Sequence, residues 1–140
     1  MADMALTRSD HFEILDFLGS GSYGSVYAAK AKGSDALVAI KGCKDILTSR
    51  TLAKRTLREI RILRFCHHPN IVKLLTVLVP DDTNQLSEFD FVFELLDTDL
   101  SQIIRSPQVL MIDHVQYFTA QLISAMEYLH RSHVIHRDVK

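Results

Sequence analysis

Cysteine is scarce in this chain of 140 residues: Cys43 and Cys66 show no paired spacing and no framework. That argues against a disulfide scaffold and makes a reducing compartment the expectation. Long apolar runs are missing too, since no stretch approaches the roughly 20 residues of a membrane-spanning helix. The opening MADMALTRSD has no apolar run and no secretory-leader shape, so the expected setting is soluble and intracellular. No internal repeat and no low-complexity linker is present. Charge of one sign is missing locally. Between Asp81 and Asp99 lie seven acids and no Lys or Arg, whereas Arg50 to Arg64 holds six basic residues and one acid, Glu59. The net charge of −1 hides this asymmetry. Nucleic acid asks for basic side chains along a whole face, so neither it nor a membrane is an expected partner. The basic block asks instead for a local anionic partner.

What remains is a globular composition, 47% hydrophobic and 24% charged, at a length that suits one domain. His11 to Gly19 alternates apolar and polar residues, and GSGSYGS then turns the chain. Ser25 to Lys32 and Ala36 to Cys43 read as strands joined by a turn at Gly33-Ser34-Asp35. Thr48 to Cys66 changes to a helical period, with Leu52, Leu57, Ile60 and Leu63 assigned to one stripe. His67-His68-Pro69-Asn70 ends that helix, because proline cannot continue it. Two more strands follow, Ile71 to Val79 and Phe89 to Glu94, around a polar loop from Pro80 to Glu88. A helix from Asp113 to Arg131 carries Val115, Phe118, Leu122, Met126 and Leu129 at helical spacing. The expected class is α+β with antiparallel hairpins.

Gly19-Ser20-Gly21-Ser22-Tyr23-Gly24 fits G-x-G-x-x-G. In a dinucleotide-binding fold such glycines open a helix; here the following SVYAAKA reads as a strand, which favours a hairpin laid over nucleotide phosphates. A plain glycine-rich turn is the alternative for the motif taken alone. Val38-Ala39-Ile40-Lys41 places Ala39 and Lys41 on one face of a strand, since side chains alternate. A small residue leaves room for a flat base, and the lysine beside it can reach phosphate oxygens; alone, the stretch reads first as an ordinary strand-end lysine in water, and its distance after the glycine motif favours the phosphate reading. A lysine facing a cleft needs a counter-charge. Glu59, within TLREI near the apolar stripe, is the candidate, and a surface pairing with Arg55 is the other use open to it. His67, His68, His130, His133 and His136 lack the Cys or acid that would complete a plausible metal set.

With His136-Arg137-Asp138 and Lys140, these motifs resemble the eukaryotic protein kinases from about Phe12 to the last residue. TLREI, the stretch Leu96 to Leu100 and the loop between Val79 and Phe89 are most similar to mitogen-activated protein kinases, with the cyclin-dependent kinases as near neighbours. The resemblance implies a kinase-like fold: an extension at 1–11, a small antiparallel-sheet N-lobe with one regulatory helix at 12–94, a hinge at 95–99, and the start of a helical C-lobe at 100–140. It implies serine/threonine phosphorylation using ATP and Mg2+. Gly19 to Val26 would cover the nucleotide, with Leu18, Val26 and Ala39 against adenine. Lys41, fixed by Glu59, would hold the α- and β-phosphates. Phe93 would be the gatekeeper, closing the space behind adenine, while the Glu94 carbonyl and Leu96 amide would meet the base and Asp99 the ribose. Asp138 would accept the substrate hydroxyl proton, and Lys140 would neutralise the moving phosphate. Arg55, Arg58 and Arg137 would meet a phosphorylated activation loop, the anion that the basic block asked for.

Ser22 and Tyr23 match positions where cyclin-dependent kinases carry inhibitory phosphates, and His114 and Tyr117 match positions near a docking groove. Implied partners are protein substrates and an upstream activating kinase, and the implied location is cytoplasmic, with the nucleus as a second site. The family's magnesium ligands, a catalytic-loop Asn and the Asp of DFG, have no match in these 140 residues. The expectation is therefore an N-terminal fragment, poorly stable and inactive alone. A truncated, non-catalytic module that binds nucleotide or kinase partners is the alternative.

Overall fold

The computed structural model describes residues 11–21, 24–79 and 88–139. Ser22, Tyr23, Lys140, the polar loop after Val79 up to residue 87 and the N-terminal ten residues lie outside that description. The chain divides into two compact units: residues 1–65 with 73–95, and residues 66–72 with 96–140.

The first unit is a five-stranded antiparallel sheet with one long helix. Its strands are β1 (Phe12–Gly21), β2 (Gly24–Ala31), β3 (Leu37–Cys43), β4 (Leu74–Leu78) and β5 (Phe89–Glu94), in spatial order β1-β2-β3-β5-β4. The β2–β3 turn is tied by Lys30 to Asp35 at 2.7 Å and by the Ala36 amide donating to the Ser34 hydroxyl. Gly33 sits there at φ 77°, a conformation that side chains with a Cβ disfavour.

Because strand side chains alternate, register decides which residues share a face. Val26 pairs with Lys41, Ala28 with Ala39, Ala39 with Phe93, and Lys41 with Phe91. Those residues occupy one face. The opposite face buries Ala29, Val38, Ile40 and Val92, with Phe12 and Leu78 packed against them. On the first face a second cluster, Cys43, Ile46 and Phe91, gathers Ile60, Leu74, Val77, Phe89 and Phe93. Phe91, Ile40 and Val92 are the largest fully buried side chains. Burying each contributes about 1.5–3 kcal/mol, so the sheet holds a core on both sides.

After β3 the chain makes one 3-10 turn, Ile46–Thr48, and then the helix α1 (Arg50–Phe65). Asp45 enters the turn at φ 57°, and its carbonyl accepts from the Thr48 amide and hydroxyl. The stripe expected on α1 needs one correction. Leu57 is 49% exposed, whereas Thr56 is buried and Leu52, Ile60 and Leu63 are half-buried. At 100° per residue Leu57 falls well away from Leu52, and Thr56 falls between Leu52 and Ile60.

The second unit contains α2 (Leu100–Arg105) and α3 (Ile112–Arg131). Helix α2 has no counterpart among the elements expected from the sequence. Six residues give too short a periodic signal, and the available cue was its cap: Asp99 accepts the Gln102 amide at 2.8 Å. On α3 the expected stripe is only partly covered. Leu129 is buried, Phe118 and Met126 are half-buried, and Val115 and Leu122 are 47% and 49% exposed. The segment before β4 belongs with α3. The His67 amide donates to the Tyr128 hydroxyl at 3.0 Å, and His68 lies between the Asn70 amide and Ser124. Since Nδ1 of His68 accepts from Asn70, its Nε2 carries the proton and donates to Ser124. Among the described residues, no helix is long and apolar enough to cross a membrane.

Candidate functional site

The first unit carries the ion pair that the sequence suggested. Nζ of Lys41 lies 2.7 Å from Oε1 of Glu59, joining the third strand to the helix 18 residues later. The side chains are 24% and 40% exposed, so the pair is half-buried. Its contribution falls between a surface pair and a buried one, about 1–2 kcal/mol. Glu59 is therefore used by Lys41 and not by Arg55. Lys41 also stands 5.6 Å from the centre of the Phe91 ring, which gives the ammonium a second favourable neighbour. Phe91 was not singled out in the sequence, although Phe89, Phe91 and Phe93 alternate through FDFVFE and mark one buried face.

Around that pair, register brings Val26, Ala39 and Phe93 onto the same face of the sheet as Lys41. A flat apolar surface ending at a cation is thus built from three neighbouring strands. Phe93 is half-buried and meets Phe91 edge-on, ring centres 6.4 Å apart. Glu94 is fixed twice to Lys73: its amide donates to the Lys73 carbonyl, and its carboxylate accepts the Lys73 amide at 2.8 Å.

The glycine hairpin forms where β1 meets β2. Gly21 pairs with Gly24, Ser20 with Ser25 and Gly19 with Val26, while Leu18, 51% exposed, falls at a register shift. Gly24 has φ 142°, and a Cβ there would lie 1.7 Å from the Gly42 carbonyl oxygen. This glycine is required by close approach of β2 to β3. Gly19 and Gly21 face open space.

In the second unit Leu96 is 56% exposed, and Asp99 spends its carboxylate on the α2 cap, with Oδ2 also 3.2 Å from the Gln102 side chain. After α3, His133 and Arg137 take left-handed conformations at φ 57° and 68°. Non-glycine residues pay a steric penalty there, so the backbone around Asp138 is held in an uncommon shape. Asp138 is exposed, and its amide donates to Nδ1 of His136 at 3.3 Å. Arg55 and Arg58 are exposed on α1. Among the described residues, no group of three or more His, Cys, Asp or Glu could hold a metal ion.

Comparison with known proteins follows the same residues. A family model described as protein kinase domain matches residues 12–140. The chain is 44% identical over 123 residues to mitogen-activated protein kinase homolog NTF6 of Nicotiana tabacum. It is 41% identical to mitogen-activated protein kinase 3 of Oryza sativa subsp. japonica and 42% to mitogen-activated protein kinase 2 of Arabidopsis thaliana. Each alignment covers 88% of this chain and 33% of the relative, so the chain spans about a third of their length. A sheet face ending in a lysine–glutamate pair, a glycine hairpin over its edge and a family match along nearly all of the chain agree: the chain belongs to the protein kinase domain family, and within it is similar to the mitogen-activated protein kinases.

Proposed function

We propose that this chain supplies the nucleotide-binding and catalytic-loop residues of an ATP-dependent serine/threonine protein kinase of mitogen-activated type. The observation that carries the reading is the Lys41–Glu59 pair, 2.7 Å long and on the sheet face shared with Val26, Ala39 and Phe93. Val26 and Ala39 offer the apolar surface for adenine, with Leu18 at the hairpin edge. Lys41 offers its ammonium to the α- and β-phosphates, while Glu59 holds the side chain in place before the nucleotide arrives. The Gly19–Gly24 hairpin offers backbone amides to phosphate oxygens. Phe93 narrows the space behind the base, and the Glu94 carbonyl and Leu96 amide hold its edge.

Asp138 then orients the substrate hydroxyl and accepts its proton as the oxygen attacks the γ-phosphorus and the bond to ADP breaks. Lys140 neutralises charge on the transferred group. Such transfer depends on positioning and charge stabilisation more than on covalent chemistry by the protein. Magnesium bound to the nucleotide supplies charge neutralisation in this reaction class. Among the described residues no group of three or more His, Cys, Asp or Glu fits it. Asp99 is assigned the ribose, and Arg55, Arg58 and Arg137 a phosphate on the activation segment. Protein substrates, an upstream activating kinase and a cytoplasmic or nuclear setting belong to the same proposal.

The test uses native protein captured with an antibody against residues 48–65. Transfer of labelled γ-phosphate to serine and threonine of a protein substrate, lost when the gene carries Lys41→Ala, supports the reading. Captured protein that binds nucleotide but transfers nothing would move the assignment to a non-catalytic module.

A further inference from the structure

Beside the Lys41–Glu59 pair, and wholly within the sheet unit, lies a cavity of about 420 Å³. Gly24, Arg55 and Glu59 on its wall already have roles assigned above, but the apolar floor and Lys44 have none. Its floor is apolar: Cys43 and Ile46 are 5% and 3% exposed, and Leu52 stands beside them. Its rim carries two cations, Lys44 and Arg55, both exposed and neither paired with a carboxylate among the described residues. Two carboxylates also line it. Glu59 is already bonded to Lys41, which leaves Asp45 as the one carboxylate set against the two rim cations. The local balance is positive over an apolar floor.

We propose that this cavity binds a small amphipathic organic anion, an aryl or alkyl carboxylate or sulfonate, with its apolar body on Cys43, Ile46 and Leu52 and its anionic head between Lys44 and Arg55. The volume falls within the range of small-molecule sites, and the pattern of an apolar lining with a few converging polar groups is theirs as well. A simple inorganic anion would leave the floor uncovered, and a neutral hydrocarbon would leave the cations unused. Because the walls include β3 and α1 besides Gly24, Ser25 and Tyr27 of β2, an occupant touches both elements that carry Lys41 and Glu59. Arg58 does not line the cavity, so the two arginines read together in the sequence are separated by their surroundings. The binding itself does not depend on the nucleotide reading.

The probe is 1-anilinonaphthalene-8-sulfonate, titrated into the 140-residue chain by fluorescence with no nucleotide present. One saturable site is expected, weakened about tenfold by Lys44→Glu and by Arg55→Glu. Arg61→Glu, exposed on the same helix and absent from the cavity wall, is the control and should leave the affinity unchanged. Thermal unfolding provides the second readout: saturating dye should raise Tm of the wild-type chain and of Arg61→Glu, but not of the double variant Lys44→Glu/Arg55→Glu. Absence of saturable binding would overturn the proposal. So would binding indifferent to Lys44 and Arg55, which would place the dye on exposed apolar surface, or binding weakened equally by Arg61→Glu, which would reduce the effect to net charge.

Discussion

Lys41 shows how one residue acquires a role from its neighbours. Its ammonium is fixed by Glu59 at 2.7 Å and lies near the Phe91 ring. Glu59→Gln keeps the shape and removes the charge, so a loss of about 1–2 kcal/mol is expected in urea denaturation. A change below a few tenths would mean that the pair contributes only geometry. Gly24 makes a sharper contrast. Gly24→Ala drives a methyl group into the Gly42 carbonyl and should cost about 3 kcal/mol, whereas Gly21→Ala meets open space and should cost under about 1 kcal/mol. Equal melting temperatures for the two variants would contradict the close approach of β2 to β3.

Cysteine gives a prediction in pH. Burial pushes the Cys66 thiol above its ordinary value, because the charged thiolate is the form that burial disfavours. Its folded value lies above its unfolded one. The corresponding stability is present below the unfolded value and is lost as pH rises through the folded value. Near pH 8, roughly, native Cys66 should therefore alkylate more slowly than in the unfolded chain, and buried Cys43 should label only on unfolding. Peptide mass spectrometry after timed iodoacetamide treatment reads both. Native and unfolded rates that match at Cys66 would contradict the shift.

Among the elements, α2 depends on its first residue. Asp99 satisfies the Gln102 amide, and a six-residue helix has little else to hold its start. Asp99→Ala should cost about 1 kcal/mol and speed amide exchange of Gln102 and Ile103, leaving exchange in β3 unchanged. Unaltered exchange at Gln102 would show that the cap is dispensable. The elements also mark how far the sequence could be read. Strands β2 and β3 and helix α3 were legible within a residue or two, because alternation and helical spacing persist along them. Helix α2 was not, since six residues complete less than two turns. The face of α1 was misplaced at Leu57, because a leucine is a stronger apolar signal than Thr56 although only the threonine turns inward. Glycine and lysine motifs named the candidate site, but the role of Phe91 and the cavity beside Glu59 arise from pairing β3 with β5 and packing α1 across them. Those are contacts between distant segments that no local pattern encodes.

At the scale of the whole molecule, the chain is two units with different chemistry. The sheet unit carries the apolar face and the cation, and the helical unit carries Asp138 on an uncommon backbone. Large apolar side chains stay open to solvent on α3, including Ile112, Tyr117 and Ile123 at 68%, 62% and 62%. Assayed as these 140 residues, the chain is expected to bind nucleotide. The most direct measurement is a titration of the chain with N-methylanthraniloyl-ADP, repeated for Lys41→Ala and Glu59→Ala and competed with ATP. Saturable binding displaced by ATP and weakened about tenfold in both variants is the expected result. No saturable binding, or the same affinity in all three proteins, would contradict the assignment of the Lys41–Glu59 pair to nucleotide phosphates.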